Sequence, residues 1–191
     1  SGGQGRTGIR VSVGQGVTGN RLDHNQLLGC QTGIAFVPGE GVTTETNIAS
    51  SNRLEANGIG MELAAPGVTA RYNRFERNTA VAVRATGDPV ALVANRFEGD
   101  DNAVDVAGGE AILHSNVIVG PFAEGVAVHG GSATLLHNTV VSEGDPTFLV
   151  GAAEGTTLRA RHNILDAPRR PSPVPEGSSF QATSTRHGRN T

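Results

Sequence analysis

Apolar and polar residues alternate along most of this chain in short runs that recur at a nearly constant interval. The clearest stretch is Val68 to Val106, where Asn73-Arg74-Phe75-Glu76 returns 22 positions later as Asn95-Arg96-Phe97-Glu98. An apolar-x-apolar triplet extends the pattern, opening at Ile9, Ile34, Ile59, Val81, Val104, Val126 and Phe148, in steps of 25, 25, 22, 23, 22 and 22. A second column follows Asn73, Asn95, Asn116, Asn138 and Asn163, with Phe75, Phe97, Ile118, Val140 and Leu165 two residues beyond. Alternation with period two is the side-chain repeat of a strand. An interval of this size, held in register across several columns, marks a solenoid. The first turns are less regular. Asn20-Arg21-Leu22-Asp23 and Asn52-Arg53-Leu54-Glu55 carry the motif 32 residues apart, while Asn25 and Asn47 offer a competing register. An insertion therefore falls either around Gln26 to Thr32 or near Pro38 to Ser51.

Two solenoids share this period. Val90 to Phe97 and Ala111 to Ile118 fit the leucine-rich-repeat core L-x-L-x-x-N-x-L. The second half of each repeat argues against it, because Val81-x-Val83 and Ile9-x-Val11-x-Val13 alternate as strands instead of following a helical period. Gly-Asp-Pro, Pro-Gly and Gly-Gly turns separate them. The pattern predicts an all-β chain, a parallel β-helix of about seven rungs with 21–25-residue repeats, over residues 1–167. Asn73, Asn95, Asn116 and Asn138 should then stack as a ladder at an inner bend, each amide bonding the backbone of a neighbouring rung. Residues 168–191 are rich in Pro and Ser and read as a loop or tail, with Ser179 to Ala182 able to return as one further strand and Asn190 as a late ladder residue.

The N-x-φ-x-x-N turns (Asn73 to Asn78, Asn52 to Asn57, Asn20 to Asn25) and the G-φ-x-φ strands over residues 7–167 resemble the right-handed parallel β-helix proteins of the pectin-lyase-like superfamily. That resemblance implies a secreted or cell-surface protein that meets polysaccharide. The all-arginine basic set, 15 residues with no Lys, fits a GC-rich bacterial genome.

Composition narrows the function classes. A net charge of −3 with no basic stripe argues against nucleic acid, and no apolar run reaches the length of a membrane span. Aromatics are 4% of the chain, so the core must come from Val, Ala, Ile and Leu. Cys30 is the single cysteine and reads as a small buried residue.

Candidate chemistry sits in three places. Gly99-Asp100-Asp101-Asn102 resembles the G-D-D segment of polygalacturonases, where paired carboxylates carry out inverting hydrolysis. The neighbouring rungs depart from that family: Asn78-Thr79-Ala80 stands where an Asp is expected, and Glu124-Gly125-Val126 where a His is expected. Strand parity places Glu62, Arg84, Asp105 and His129 on one outer face, with Glu62 and Arg84 as a cross-strand ion pair. Pectate-lyase-like chemistry would ask calcium of such a face; a carboxylate cluster able to hold it is not evident, so no cofactor is expected, with calcium the one metal left open. Asp100, Asp101 and Asp105 are thus the catalytic candidates, and Glu62, Arg84 and His129 the substrate-binding ones. Arg53, Arg74, Arg96 and Glu55, Glu76, Glu98 form two charge columns that should neutralise each other on an outer face. His114, His137 and His162 read as surface residues.

The incomplete motif set, together with small residues expected to face outward (Ala35, Gly60, Ala82, Ala127), favours a non-catalytic module presenting a repetitive surface to polysaccharide or a neighbouring protein. The alternative is a glycoside hydrolase or pectate-lyase-like enzyme. No capping helix is visible, so continuation in a longer chain or end-to-end association is expected.

Overall fold

In the computed structural model, which describes residues 6–14, 19–41, 46–167 and 179–183, three parallel sheets wind into a solenoid. Each turn contributes one strand to each sheet. The first is β1 (Thr7–Val13), β2 (Arg21–Asp23) and β3 (Gln26–Leu28), and the second β4 (Thr32–Pro38), β5 (Asn47–Ser50) and β6 (Arg53–Glu55). Then come β7 (Ile59–Leu63), β8 (Val68–Arg71) and β9 (Arg74–Glu76), followed by β10 (Val81–Ala85), β11 (Val90–Val93) and β12 (Arg96–Glu98). The last three turns are β13 (Asn102–Val106), β14 (Glu110–His114), β15 (Val117–Gly120); β16 (Glu124–Val128), β17 (Ser132–Leu136), β18 (Thr139–Ser142); and β19 (Phe148–Ala152), β20 (Thr157–Arg161), β21 (Ile164–Asp166). A final strand, β22 (Ser179–Thr183), pairs with β20 in the second sheet. Asn190 and residues 168–178 lie outside the described residues. No helix occurs among the described residues, so none is long and apolar enough to cross a membrane.

The bend between the second and third sheets shows why the asparagines recur. The residue before each ladder asparagine, from His24, Ser51 and Tyr72 to His162, is left-handed, with φ between 52° and 57°. Such a conformation costs a non-glycine residue about 1–2 kcal/mol. It turns the chain sharply and leaves backbone groups facing inward without water. The following Asn satisfies them. In Asn95, Oδ1 accepts from the Asn73 N–H (2.9 Å) and Nδ2 (3.0 Å), while Nδ2 donates to Ala70 O (2.9 Å) and Asn116 Oδ1 (3.0 Å). The ladder runs from Asn25 through Asn52, Asn73, Asn95, Asn116 and Asn138 to Asn163. Phe75 and Phe97 stack inside it at 4.8 Å, the rung spacing, with planes 7° apart.

The competing register at the start is thereby resolved. Asn25 belongs with Asn52, 27 residues on, and Asn20 pairs separately with Asn47 at the preceding corner. Cys30, free and half-buried, occupies the position of Asn57, so the Asn20–Asn25 turn is not equivalent to Asn52–Asn57. The extra residues lie between β1 and β2 and between β4 and β5, not around Gln26 to Thr32, which forms the regular strand β3 and its turn.

Strand register corrects a further expectation. Ile34 pairs with Met61, Val83 with Val104 and Val126 with Val150, so the triplet alignment was off by two residues at three steps. Separately, Ala82 lies in the core, fully enclosed, and Gly60 faces inward, where a Cβ would meet Ala82 O at 2.5 Å and Phe75 at 2.9 Å. These two small residues let the corner close against the core; they do not make an outward face.

Candidate functional site

The outer column of the first sheet runs Arg10, Ala35, Glu62, Arg84, Asp105, Ala127, Gly151, each in register with the next. β10, β13 and β16 are neighbours, so Arg84 lies beside Asp105. His129 follows β16 directly, and its N–H donates to Val106 O (2.9 Å), which holds its side chain over the adjacent rung. The result is a three-residue cluster: Arg84 Nε donates to Asp105 Oδ2 at 3.3 Å, and His129 Nδ1 lies 3.0 Å from Asp105 Oδ1. Asp105 is mostly covered, its side chain 16% exposed, whereas Arg84 (41%) and His129 (52%) keep free edges. With Nδ1 directed at the carboxylate, Nε2 is the nitrogen left to a ligand. Farther along the column, Phe148 lays its ring against Gly151, where its atoms stand 2.8 Å from the place of a Cβ.

The sequence candidates separate on this frame. Glu62, Arg84 and Asp105 share one column and His129 joins them, but the ion pair of Arg84 is with Asp105 and not with Glu62. Asp100 is 2% exposed and accepts from Asn78 through Oδ1, so it belongs to a buried corner instead of the outer face. Asp101 is exposed at that corner, ahead of β13. The three candidate catalytic carboxylates are thus not brought together. Both oxygens of Asp105 are engaged by Arg84 and His129, and no group of three metal-binding side chains occurs among the described residues.

What the sequence reading missed was the Arg84–Asp105–His129 contact, and a usable signal existed. Counted from the ladder asparagine of each turn, Ala35, Glu62, Arg84, Asp105 and Ala127 all fall ten or eleven residues on. The ladder is the fixed point of each rung, whereas an apolar triplet can slip by two without changing face.

The charge columns on the third sheet are internally matched. Arg53 bridges Glu55 (2.9 Å) and Glu76 (2.7 Å), Arg74 bridges Glu76 (2.5 Å) and Glu98 (2.6 Å), and Arg96 closes on Glu98. Hydrogen bonding to Arg96 is the main reason the Glu98 carboxyl lies below the usual carboxylate range, with Arg74 adding to the effect. His137 and His162 stack at 5.1 Å on consecutive rungs, with His114 edge-on to His137 at 5.6 Å.

Three parallel sheets, a continuous asparagine ladder and about 22 residues per turn define this molecule as a parallel β-solenoid. The family model described as right handed beta helix region matches residues 2–142, and the chain belongs to that family. The match is consistent with the pectin-lyase-like resemblance of the turns. No curated protein and no solved structure matches the chain.

Proposed function

We propose that the outer face of the first sheet binds an extended polysaccharide, in a secreted or cell-surface setting, and that the protein is a binding module and not a hydrolase. The observation that carries this reading is the Arg84–Asp105–His129 cluster, whose exposed edges stand on the outer face of the sheet, with the Phe148 ring laid over Gly151 farther along and Ala127 covered between them. Arg84 and His129 supply hydrogen-bonding edges, Asp105 orients both, and an aromatic ring beside glycine suits the apolar face of a sugar. A parallel sheet repeats its positions every 4.8 Å or so, which favours a polymer whose contacts add from rung to rung. Inverting hydrolysis needs an acid and a base in separate roles. Here Asp105 is tied at both oxygens and Asp100 is enclosed.

Titration with neutral and acidic oligosaccharides of increasing length tests the reading. Affinity should rise with length and fall in Arg84→Ala and His129→Ala. Release of reducing ends or unsaturated products, abolished by Asp105→Asn, would replace the binding reading with an enzymatic one. Length-independent or absent binding, with self-association in sedimentation, would point to a protein partner instead.

A further inference from the structure

At the corner that leads from the third sheet into the first, Asn57, Asn78 and Asp100 stack on successive rungs as a second, shorter ladder. The Asn57 N–H and Nδ2 both donate to Asn78 Oδ1 at 3.1 Å, and the Asn78 N–H (2.8 Å) and Nδ2 (2.7 Å) donate to Asp100 Oδ1. Each asparagine also donates backwards: Nδ2 of Asn57 to Leu27 O and Nδ2 of Asn78 to Leu54 O, both at 3.1 Å. The register carries Leu54 to Phe75, so the corresponding slot of residue 100 is directed at the Phe75 carbonyl. In Asp100 that slot holds Oδ2, which is buried and without a hydrogen-bond partner. A carboxylate oxygen there opposes a carbonyl with no donor in hydrogen-bond geometry, the Glu98 backbone giving only a weak pull, whereas a carboxylic acid carries the missing proton.

We infer that Asp100 is a proton-operated latch: protonated, its Oδ2–H donates to the Phe75 carbonyl and completes the ladder, and ionised, it leaves two buried acceptors opposed and loosens the lead into β13, the strand that carries Asp105. Burial pushes this carboxyl up to about 6 from 3.8, against the two Asn78 donors and a weaker pull from the Glu98 backbone, and with a small contribution from Asp101. The surrounding charges do not offset the burial. On the rung below, Arg77 is engaged by Glu55. On the rung above, Pro121, Phe122 and Ala123 carry no charge, and Glu124 stands opposite Asn102. Glu98, two residues before, is held by Arg96 and Arg74.

The direction follows from linkage. The folded carboxyl titrates above the unfolded one, so its contribution to stability is complete below about pH 4 and is lost as pH rises to about 6. Asp100→Asn places a permanent Nδ2–H in the slot and cancels the dependence. Urea melts of wild type and D100N from pH 4 to pH 7.5 give the ratio of their folding equilibrium constants, in which every other titrating group cancels. The ratio should change with pH by on the order of a hundredfold in favour of D100N, the equivalent of the interval between 3.8 and about 6. The Asp100 carboxyl carbon, followed by NMR in the wild type, should titrate near 6. A pH-independent ratio, or a carboxyl that titrates in the ordinary range, overturns the latch.

Discussion

At the scale of single residues, the asparagine amide matters because it is both donor and acceptor at a bend where the backbone needs both. The Asn95 side chain makes four hydrogen bonds to three residues, Asn73, Asn116 and Ala70. Asn95→Leu keeps the size but leaves the Asn73 N–H and Ala70 O unpaired in the interior, at a cost of about 2–4 kcal/mol. Arg96→Ala, one residue away, removes an exposed ion pair with Glu98 and should cost less than about 1 kcal/mol. Denaturant melts of the two variants distinguish these magnitudes, and equal mild effects would remove the ladder from its structural role.

The strands and corners respond to different limits. Within the third sheet, opposite charges step from rung to rung, so the columns hold no free field and salt should shift the melting of the whole chain little. The corner into the first sheet is governed by space. Gly60→Ala drives a Cβ to 2.5 Å from the Ala82 carbonyl and should destabilise clearly, whereas Gly144→Ala meets nothing nearer than 3.7 Å and should be close to neutral. Thermal melts of the pair check this, and similar shifts would mean that the corner relaxes freely.

Across the whole molecule, each rung is supported by the rung on either side, so cohesion falls toward the ends. Phe75 and Phe97 are enclosed, while Leu165 in the same column is 43% exposed, β21 being the last strand of its sheet among the described residues. Hydrogen exchange should therefore be slowest in the central turns, β7 to β15, and faster in β3 and β21. Uniform protection along the solenoid would show that it opens as one cooperative unit. The same stacking gives the first sheet its column of outward positions, on which the proposed polysaccharide contact depends.

The repeat interval, the alternation of the strands and the asparagine column were enough to specify a parallel β-helix of about seven turns, because each is a local pattern repeated in sequence. Period two determines which face a side chain takes within its own strand. It does not determine which residue of the next turn stands beside it. That depends on corner lengths, which differ from rung to rung: successive ladder asparagines are 27, 21, 22, 21, 22 and 25 residues apart. The pairing of Arg84 with Asp105 in place of Glu62, the inward turn of Ala82 and the arrival of His129 at Asp105 were decided only when the turns stacked. So was the fate of Asp100. Its Gly-Asp-Asp setting reads as a surface turn, and only the Asn78 ladder beneath it draws the carboxylate out of water.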